Sequence, residues 1–378
     1  MFELPDATRE LRATALDFAR ERIAPHALAW DEQRHFPVEV LREAAALGMA
    51  GLYVREESGG AGLSRLDAAV VFEALATGCP TVSAFLSIHN MVAWMVDRWG
   101  SEAQRAEWLP PLLTMEKIAS YCLTEPGSGS DAAALSTKAT RDNEGWVLHG
   151  TKQFISGAGA SDLYLTMVRT GGAGADGISA LLIPKETPGL SFGANEKKMG
   201  WNAQPTRQVV LDGARVGAEA LLGEEGMGFR YAMAGLDGGR LNIAACSIGG
   251  AQAALDIALS YVKERRAFGK PVADFQATQF RLADMATELE AARAFLWRAA
   301  AKLDAKSPDA TTYCAMAKRF VTDTGHRIAD EALQLLGGYG YLQDYGIEKI
   351  VRDLRVHRIL EGTNEIMRVI VARSLLRA

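Results

Sequence analysis

Glu361 stands in the run Leu360-Glu361-Gly362-Thr363-Asn364-Glu365, where a carboxylate is followed by a glycine and a hydroxyl. A carboxylate becomes an effective general base when burial raises its pKa toward the working pH. The plainer reading of Glu361 is a charge favoured by the macrodipole at a helix N-terminus. A second stretch, Tyr121-Cys122-Leu123-Thr124-Glu125-Pro126-Gly127-Ser128-Gly129-Ser130-Asp131, combines small residues, hydroxyls and two acids. It can bring backbone N–H groups and hydroxyls close to a planar or phosphorylated ligand, or it can be a Gly/Ser turn capped by Asp131. A third, Gln334-Leu335-Leu336-Gly337-Gly338-Tyr339-Gly340-Tyr341, has paired glycines that fit a ligand loop or a helix C-cap. In Asp237-Gly238-Gly239-Arg240 the arginine is a cation for an anionic or polar ligand, or the start of a long helix after a glycine turn.

Other patterns carry less. Gly172-Ala173-Gly174-Ala175-Asp176-Gly177 matches the dinucleotide fingerprint G-x-G-x-x-G, but it falls between two strand-like runs instead of between a strand and a helix, so a hairpin loop is expected. Gly189-Leu190-Ser191-Phe192-Gly193 matches the hydrolase elbow and lacks an apolar helix behind it. The six histidines show no ligand spacing, and no metal site is expected. Cys79, Cys122, Cys246 and Cys314 are far apart, which fits a reducing compartment.

The elements that must position these residues follow from pattern and length. At 378 residues, 48% apolar and 23% charged, the chain exceeds one hydrophobic core and has the composition of a globular protein. A net charge of −5 without a basic block argues against nucleic acid as a partner. Leu241 to Leu255, an uncharged stretch, is too short to span a membrane, so no membrane insertion is expected. The acidic start Met1-Phe2-Glu3-Leu4-Pro5-Asp6 lacks signal-peptide character. The expected location is the cytoplasm of a bacterium, or the mitochondrial matrix if a presequence has been removed.

Leu11, Ala15, Phe18 and Ala19 mark helix within an N-terminal α domain, residues 1–117. Short apolar runs at Trp146–Leu148, Leu163–Val168, Ile178–Ile183 and Gln208–Leu211, separated by turn signals, mark a middle β domain, residues 118–227. Leu282, Met285, Leu289, Ala292 and Leu296 have the spacing of a bundle seam within a helical domain, residues 228–378. Helices, then strands, then long helices is an α+β multidomain order and not a doubly wound sheet.

Taken together, the Tyr121–Asp131 stretch and the Gln334–Glu365 region resemble the two signatures of the acyl-CoA dehydrogenase family, in register and over essentially the whole chain. Phe154-Ile155-Ser156, Gly200 to Thr206 and Arg355 to Gly362 look most like the isobutyryl-CoA branch. Many members have Trp-Ile-Thr where this chain has Phe154-Ile155-Ser156, a change that keeps a flat aromatic and a hydroxyl.

The resemblance implies a helical N-terminal domain, a β-barrel-like middle and a C-terminal four-helix bundle. It also implies FAD as cofactor and α,β-dehydrogenation of a short branched acyl-CoA, isobutyryl-CoA to methacrylyl-CoA in valine catabolism. Glu361 matches the base that takes the α-proton while the β-hydride passes to flavin N5. The implied FAD contacts are Tyr121, Cys122, Leu123, Thr124, Gly129, Ser130, Phe154, Ile155, Ser156, Arg265, Phe275, Gln276, Gln334, Leu335, Leu336, Gly337, Gly338, Thr363, Asn364 and Glu365. Ser130, Asp237, Gly238, Gly239, Arg240 and Arg373 match substrate-contacting positions. An electron-transfer flavoprotein is the implied electron acceptor, and a homotetramer the implied assembly, with Arg265 and the Gln334 loop reaching a neighbouring subunit's FAD. Butyryl-CoA or 2-methylbutyryl-CoA as substrate, an oxidase, and a non-catalytic CoA-ester-binding scaffold are the alternatives.

Overall fold

The computed structural model describes residues 3–377; Met1 and Phe2, on which the N-terminal reading begins, lie outside it, as does Ala378. Helices α1 (Asp6–Phe18), α2 (Ala27–Gln33), α3 (Val38–Ala46), α4 (Arg65–Gly78), α5 (Pro80–Trp99) and α6 (Glu102–Leu113) come first. Strands β1 (Ala119–Cys122), β2 (Lys138–Arg141), β3 (Gly145–Ser156), β4 (Leu163–Arg169), β5 (Ile178–Pro184), β6 (Leu190–Phe192) and β7 (Thr206–Gly217) follow. The long helix α7 (Gly228–Glu264) leads through a small hairpin, β8 (Arg266–Ala267) and β9 (Lys270–Pro271), to α8 (Gln276–Asp304), α9 (Ala310–Leu336), α10 (Ile347–His357) and α11 (Asn364–Arg377).

The expected helix–strand–helix order is what the chain adopts, and each apolar run read as strand lies in one. The sheet runs β1-β4-β2-β3-β7-β6, with β5 on the other side of β4. β1 and β4 are parallel, while β3 pairs antiparallel with β7 along most of its length. Strand β4 is buried from Leu163 to Val168 because both of its faces are covered. Leu163, Leu165 and Met167 pack with Met91 and Met95 of α5 and Leu109 of α6, whereas Tyr164 and Val168 face the inside of the curl with Trp146 and Leu211. The fingerprint-like glycine run is a loop between the antiparallel strands β4 and β5, as its context requires.

Helix α7 is the hub, packed against α4, α5, α8, α9 and α10. Close approach there depends on glycine: a Cβ on Gly249 would sit 2.1 Å from the Glu73 carbonyl oxygen of α4. The glycines at 238 and 239 lie inside this helix, which corrects the reading of Arg240 as starting a helix after a glycine turn. Their role is likewise close approach. The N-terminal helices and the bundle share one apolar core, crossed by a buried ion pair between Glu73 of α4 and Arg293 of α8 at 2.8 Å.

Candidate active site

Glu361 sits in the turn between α10 and α11, and the turn is an unusual one. Glu361 has φ +57° and Gly362 φ +86°, so two successive residues occupy the left-handed region. For a glutamate that conformation costs roughly 1–3 kcal/mol and persists only where its surroundings impose it. Among the described residues the Glu361 N–H makes no backbone hydrogen bond. Its side chain points back onto α7, where a Cβ on Gly239 would lie 2.5 Å from Glu361 Oε2. That oxygen is enclosed and has no hydrogen-bond partner among the described residues. Burial raises the Glu361 carboxyl to about 7, against the pull of Arg240 and Lys318.

Helix α7 supplies the rest of this corner. Arg240 is buried, with its Nη1 donating to Asp237 Oδ1 at 2.7 Å and its Nε reaching the Glu361 carbonyl at 3.4 Å. Asp237 also accepts from the Thr311 hydroxyl at 2.6 Å, so its carboxylate is fully engaged within the protein. A Cβ on Gly238 would meet the Arg65 guanidinium at 2.4 Å. Arg65 in turn lies over the Tyr53 ring, 3.6 Å from its centroid, and over Trp94 at 4.7 Å.

From the sheet, Tyr121 on β1 brings a buried hydroxyl without a partner to the same corner; burial, and then the Glu361 charge, raise its pKa well above the ordinary value. The loop that follows is braced from beneath by Glu125. That carboxylate accepts from the Ser136 and Thr137 N–H groups at 2.6 and 2.9 Å and from buried Lys152 at 2.7 Å. These bonds outweigh burial and hold the Glu125 carboxyl down at about 2. Above the brace, Gly127 and Gly129 have no atom within 4 Å of where a Cβ would be.

At the end of β3 the pairing with β7 slips between Lys152 and Ile155, and Phe154 there has φ +58°. The bulge turns the Phe154 ring outward, 64% exposed. Next to it, Ser156 Oγ accepts from Gln204 Nε2 at 3.1 Å, while Gln204 Oε1 is buried without a partner. The run from Gly200 to Thr206 makes its main contacts on α10: Trp201 N donates to Asp353 Oδ1 at 2.6 Å and its indole to His357 Nε2 at 3.2 Å. It therefore straps the end of β3 to the helix that leads into the Glu361 turn.

A second cluster forms where α7 and α9 end and α8 begins. Arg265, Gln334, Leu335, Leu336, Gly337 and Gly338 line a cavity of about 380 Å³, with Arg265 facing the Tyr339 ring at 5.5 Å. Gly337 is the C-cap of α9, with φ +61°, and neither it nor Gly338 has an atom near its would-be Cβ. Phe275 caps and Gln276 begins α8 nearby. None of the residues around Glu361 lines this cavity.

Three family models match the chain in succession: the acyl-CoA dehydrogenase N-terminal domain over residues 5–116, the middle domain over 120–214 and the C-terminal domain over 226–376. The chain belongs to the acyl-CoA dehydrogenase family. It is 55% identical to the mitochondrial isobutyryl-CoA dehydrogenase of Dictyostelium discoideum, over 98% of this chain and 90% of that protein. Identity to the mitochondrial short-chain specific acyl-CoA dehydrogenase of Bos taurus is 40%, over 100% of this chain and 92% of that one. The butyryl-CoA dehydrogenase of Megasphaera elsdenii superposes with a TM-score of 0.96 at 38% identity, covering all of both chains. As a member of this family the protein is an FAD-dependent oxidoreductase.

Its residues fit that cofactor. The open Gly127/Gly129 and Gly337/Gly338 cradles are places that a Cβ would fill, the Tyr121 hydroxyl and Gln204 Oε1 are buried and unpartnered, and a flat aromatic stands exposed on a bulge. Of the residues expected from sequence, the corner collects Tyr121, Asp237, Gly238, Gly239, Arg240 and Glu361. Asn364 is spent on α9, donating to Thr322 and Asp323 and accepting from Lys318. Arg373 lies exposed along α11. Sequence reasoning missed Tyr53, Arg65 and Lys318. For Lys318 a signal was available: a lysine on the helix face of Cys314, Ala317, Val321 and Gly325, where an apolar residue is the rule.

Proposed function

We propose that this acyl-CoA dehydrogenase oxidises a short branched acyl-CoA, isobutyryl-CoA first among them, to the α,β-unsaturated thioester, with Glu361 as the base. The observation that carries the reading is the Glu361 carboxylate: enclosed, unpartnered, pressed against Gly239 and raised by burial to about 7. Such a group accepts a proton at neutral pH without being held by a salt bridge that proton transfer would have to break. The free Glu361 N–H suits a donor to the thioester oxygen, where negative charge grows as the α-proton leaves. Arg240 keeps the carboxyl from rising so far that it stays protonated.

FAD, when bound, supplies the acceptor for the β-hydride. The Tyr121–Ser130 loop and Phe154 to Ser156 would hold one flavin beside Glu361, with Thr363 and Glu365 at the base turn. Arg265 and the Gln334–Gly338 loop would meet the FAD of a neighbouring subunit, since their cavity excludes every residue of the Glu361 corner, and Phe275 and Gln276 at the start of α8 would also contact FAD. Arg265 suits a phosphate oxygen through its forked guanidinium. Assembly as a homotetramer would also cover apolar side chains left in water on one chain, among them Phe268 at 96% and Leu376 at 87% exposure. An electron-transfer flavoprotein is the proposed acceptor of the electrons.

The branched substrate is supported by the higher identity to the isobutyryl-CoA relative than to the short-chain one. Glu361→Gln tests the base: the amide is nearly isosteric and cannot take the proton. The FAD-loaded variant is expected to lose flavin reduction by acyl-CoA by on the order of 10²–10⁴-fold while keeping its flavin. Bleaching near the wild-type rate would remove Glu361 from the role.

A further inference from the structure

Lys318 occupies the face of α9 on which Cys314, Ala317, Val321 and Ile328 are buried, and it is itself fully buried. An ammonium in such a place is costly unless its protons are taken up by acceptors. Its Nζ donates to the Gly362 carbonyl at 2.7 Å and to Asn364 Oδ1 at 2.9 Å. Asn364 is anchored in turn, its Nδ2 donating to Thr322 Oγ1 at 3.0 Å and Asp323 Oδ1 at 2.9 Å. The backbone just after Glu361 is thus latched to α9: Lys318 holds the Gly362 carbonyl directly and shares Asn364 with Thr322 and Asp323 of the same helix. A pair of consecutive left-handed residues needs an external hold of this kind.

We propose that Lys318 is a positioning residue for the base: through the Gly362 carbonyl and Asn364 it holds the left-handed Glu361–Gly362 turn, and it sets a cation behind the Glu361 carboxylate. This rests on the reading of Glu361 as the base.

The charges around the pair favour that role. Glu361 is met by Arg240 from α7, Lys318 from α9, Tyr121 from β1 and Tyr53 from the segment before α4. Lys318 is met by Arg240, by Asp323 of its own helix, by Glu365 of α11 and by Glu361, and its charge bears on His357 of α10. Arg240 has its own carboxylate in Asp237 at 2.7 Å. Among the described residues Lys318 forms no ion pair of its own, so its charge is left to act on Glu361. Burial lowers the Lys318 ammonium to about 7 and raises the Glu361 carboxyl to about 7, while the charge of each favours the charged form of the other.

The test is the pH profile of flavin reduction by an acyl-CoA in FAD-loaded enzyme, for Lys318→Gln, Lys318→Met and Lys318→Arg. Gln keeps a donor and loses the charge, Met loses both, and Arg keeps the charge. Losing an attracting cation raises the carboxyl pKa, so the acidic limb is expected to move up by about one pH unit in the Gln and Met variants. Met should also lower the plateau rate by about tenfold or more through a loosened turn, and Arg should return the limb toward its wild-type position. A lysine with only a structural role would reduce flavin content or Tm and leave the limb in place. An unmoved limb in Lys318→Gln overturns the proposal, and if Lys318→Met does not fold, the Gln and Arg variants carry the comparison. Glu361→Gln run in parallel separates the two claims. Flavin reduction that survives in it brings down the base assignment itself, whereas its loss beside an unmoved Lys318→Gln limb brings down the role of Lys318 alone.

Discussion

A carboxylate that is to take a proton from a thioester α-carbon must be ionised before the transfer and basic enough to accept. Glu361 is placed between these demands by burial on one side and by Arg240 and Lys318 on the other, with a result near 7. The pH dependence follows with a definite sign. Below about 7 the carboxyl is protonated and cannot accept, so the rate of flavin reduction should climb as pH rises through about 7 in the free enzyme. Stability runs the other way. A carboxyl whose folded value lies above its ordinary value favours the fold below the ordinary carboxyl range, and this contribution is lost as pH rises through about 7. Glu361→Gln, which cannot ionise, should therefore be the more stable protein at pH 8, by at most about 3 kcal/mol. Thermal melts of the FAD-loaded pair at pH 5 and pH 8 check it: the gap should open only at the higher pH. A variant less stable than wild type at pH 8 would mean that the Glu361 charge is satisfied after all.

Among the elements, α7 shows what sequence gave away and what it withheld. Its helical pattern after Gly228 was readable, as were the strands of the sheet and the seam of α8, because burial on one face leaves a period in the sequence. The meaning of Gly238 and Gly239 was not. Two glycines in a row read as a turn, and only a helix with the Arg65 guanidinium on one glycine and the Glu361 carboxylate on the next makes them interior residues. Similarly, Glu361 was legible through its neighbours in sequence, whereas Lys318, Tyr53 and Arg65 come to it from helices and loops far away along the chain.

Gly239→Ala puts the argument about α7 to work. Alanine is the better helix former by about 1 kcal/mol, so the fold has nothing to lose from the backbone. The new Cβ, however, would fall 2.5 Å from Glu361 Oε2, and the end of a flexible side chain will move aside. The expected variant keeps its flavin and its Tm and reduces flavin about 10–100-fold more slowly, since a misplacement of about 1 Å at the reacting group costs this much. Rapid-reaction measurement of flavin bleaching decides it, and an unchanged rate would show that Glu361 does not need the position it holds against α7.

At the scale of the whole molecule, one chain gathers the residues proposed here for the flavin in two separate places. Tyr121, Phe154 and Glu361 belong to the first, and Arg265 with the Gln334–Gly338 cavity belongs to the second. Assembly that brings one chain's second cluster to another chain's first would unite them. Arg265→Ala is then expected to weaken FAD retention and tetramer formation together, with a loss of about 1.5–3 kcal/mol for a hydrogen bond to a charged group. Gel filtration with flavin quantitation reads both, and a fully loaded tetramer would take Arg265 out of the site.

The substrate is also a property of the whole chain. The run from Gly200 to Thr206, which most resembles the branched-chain members, lies against α10 and Ser156, and so would influence the acyl pocket through the placement of the base turn and the end of β3. An α-methyl branch requires width beside the α-carbon, whereas a straight chain requires depth. One methylene in an apolar pocket is worth about 1–3 kcal/mol, so close analogues should retain some turnover. The most direct measurement is kcat/KM of the FAD-loaded enzyme for isobutyryl-CoA, n-butyryl-CoA, 2-methylbutyryl-CoA and octanoyl-CoA, with an electron-transfer flavoprotein or an artificial acceptor. Isobutyryl-CoA is predicted to lead and octanoyl-CoA to fail most completely; a lead of about tenfold or more for n-butyryl-CoA or 2-methylbutyryl-CoA would contradict the assignment.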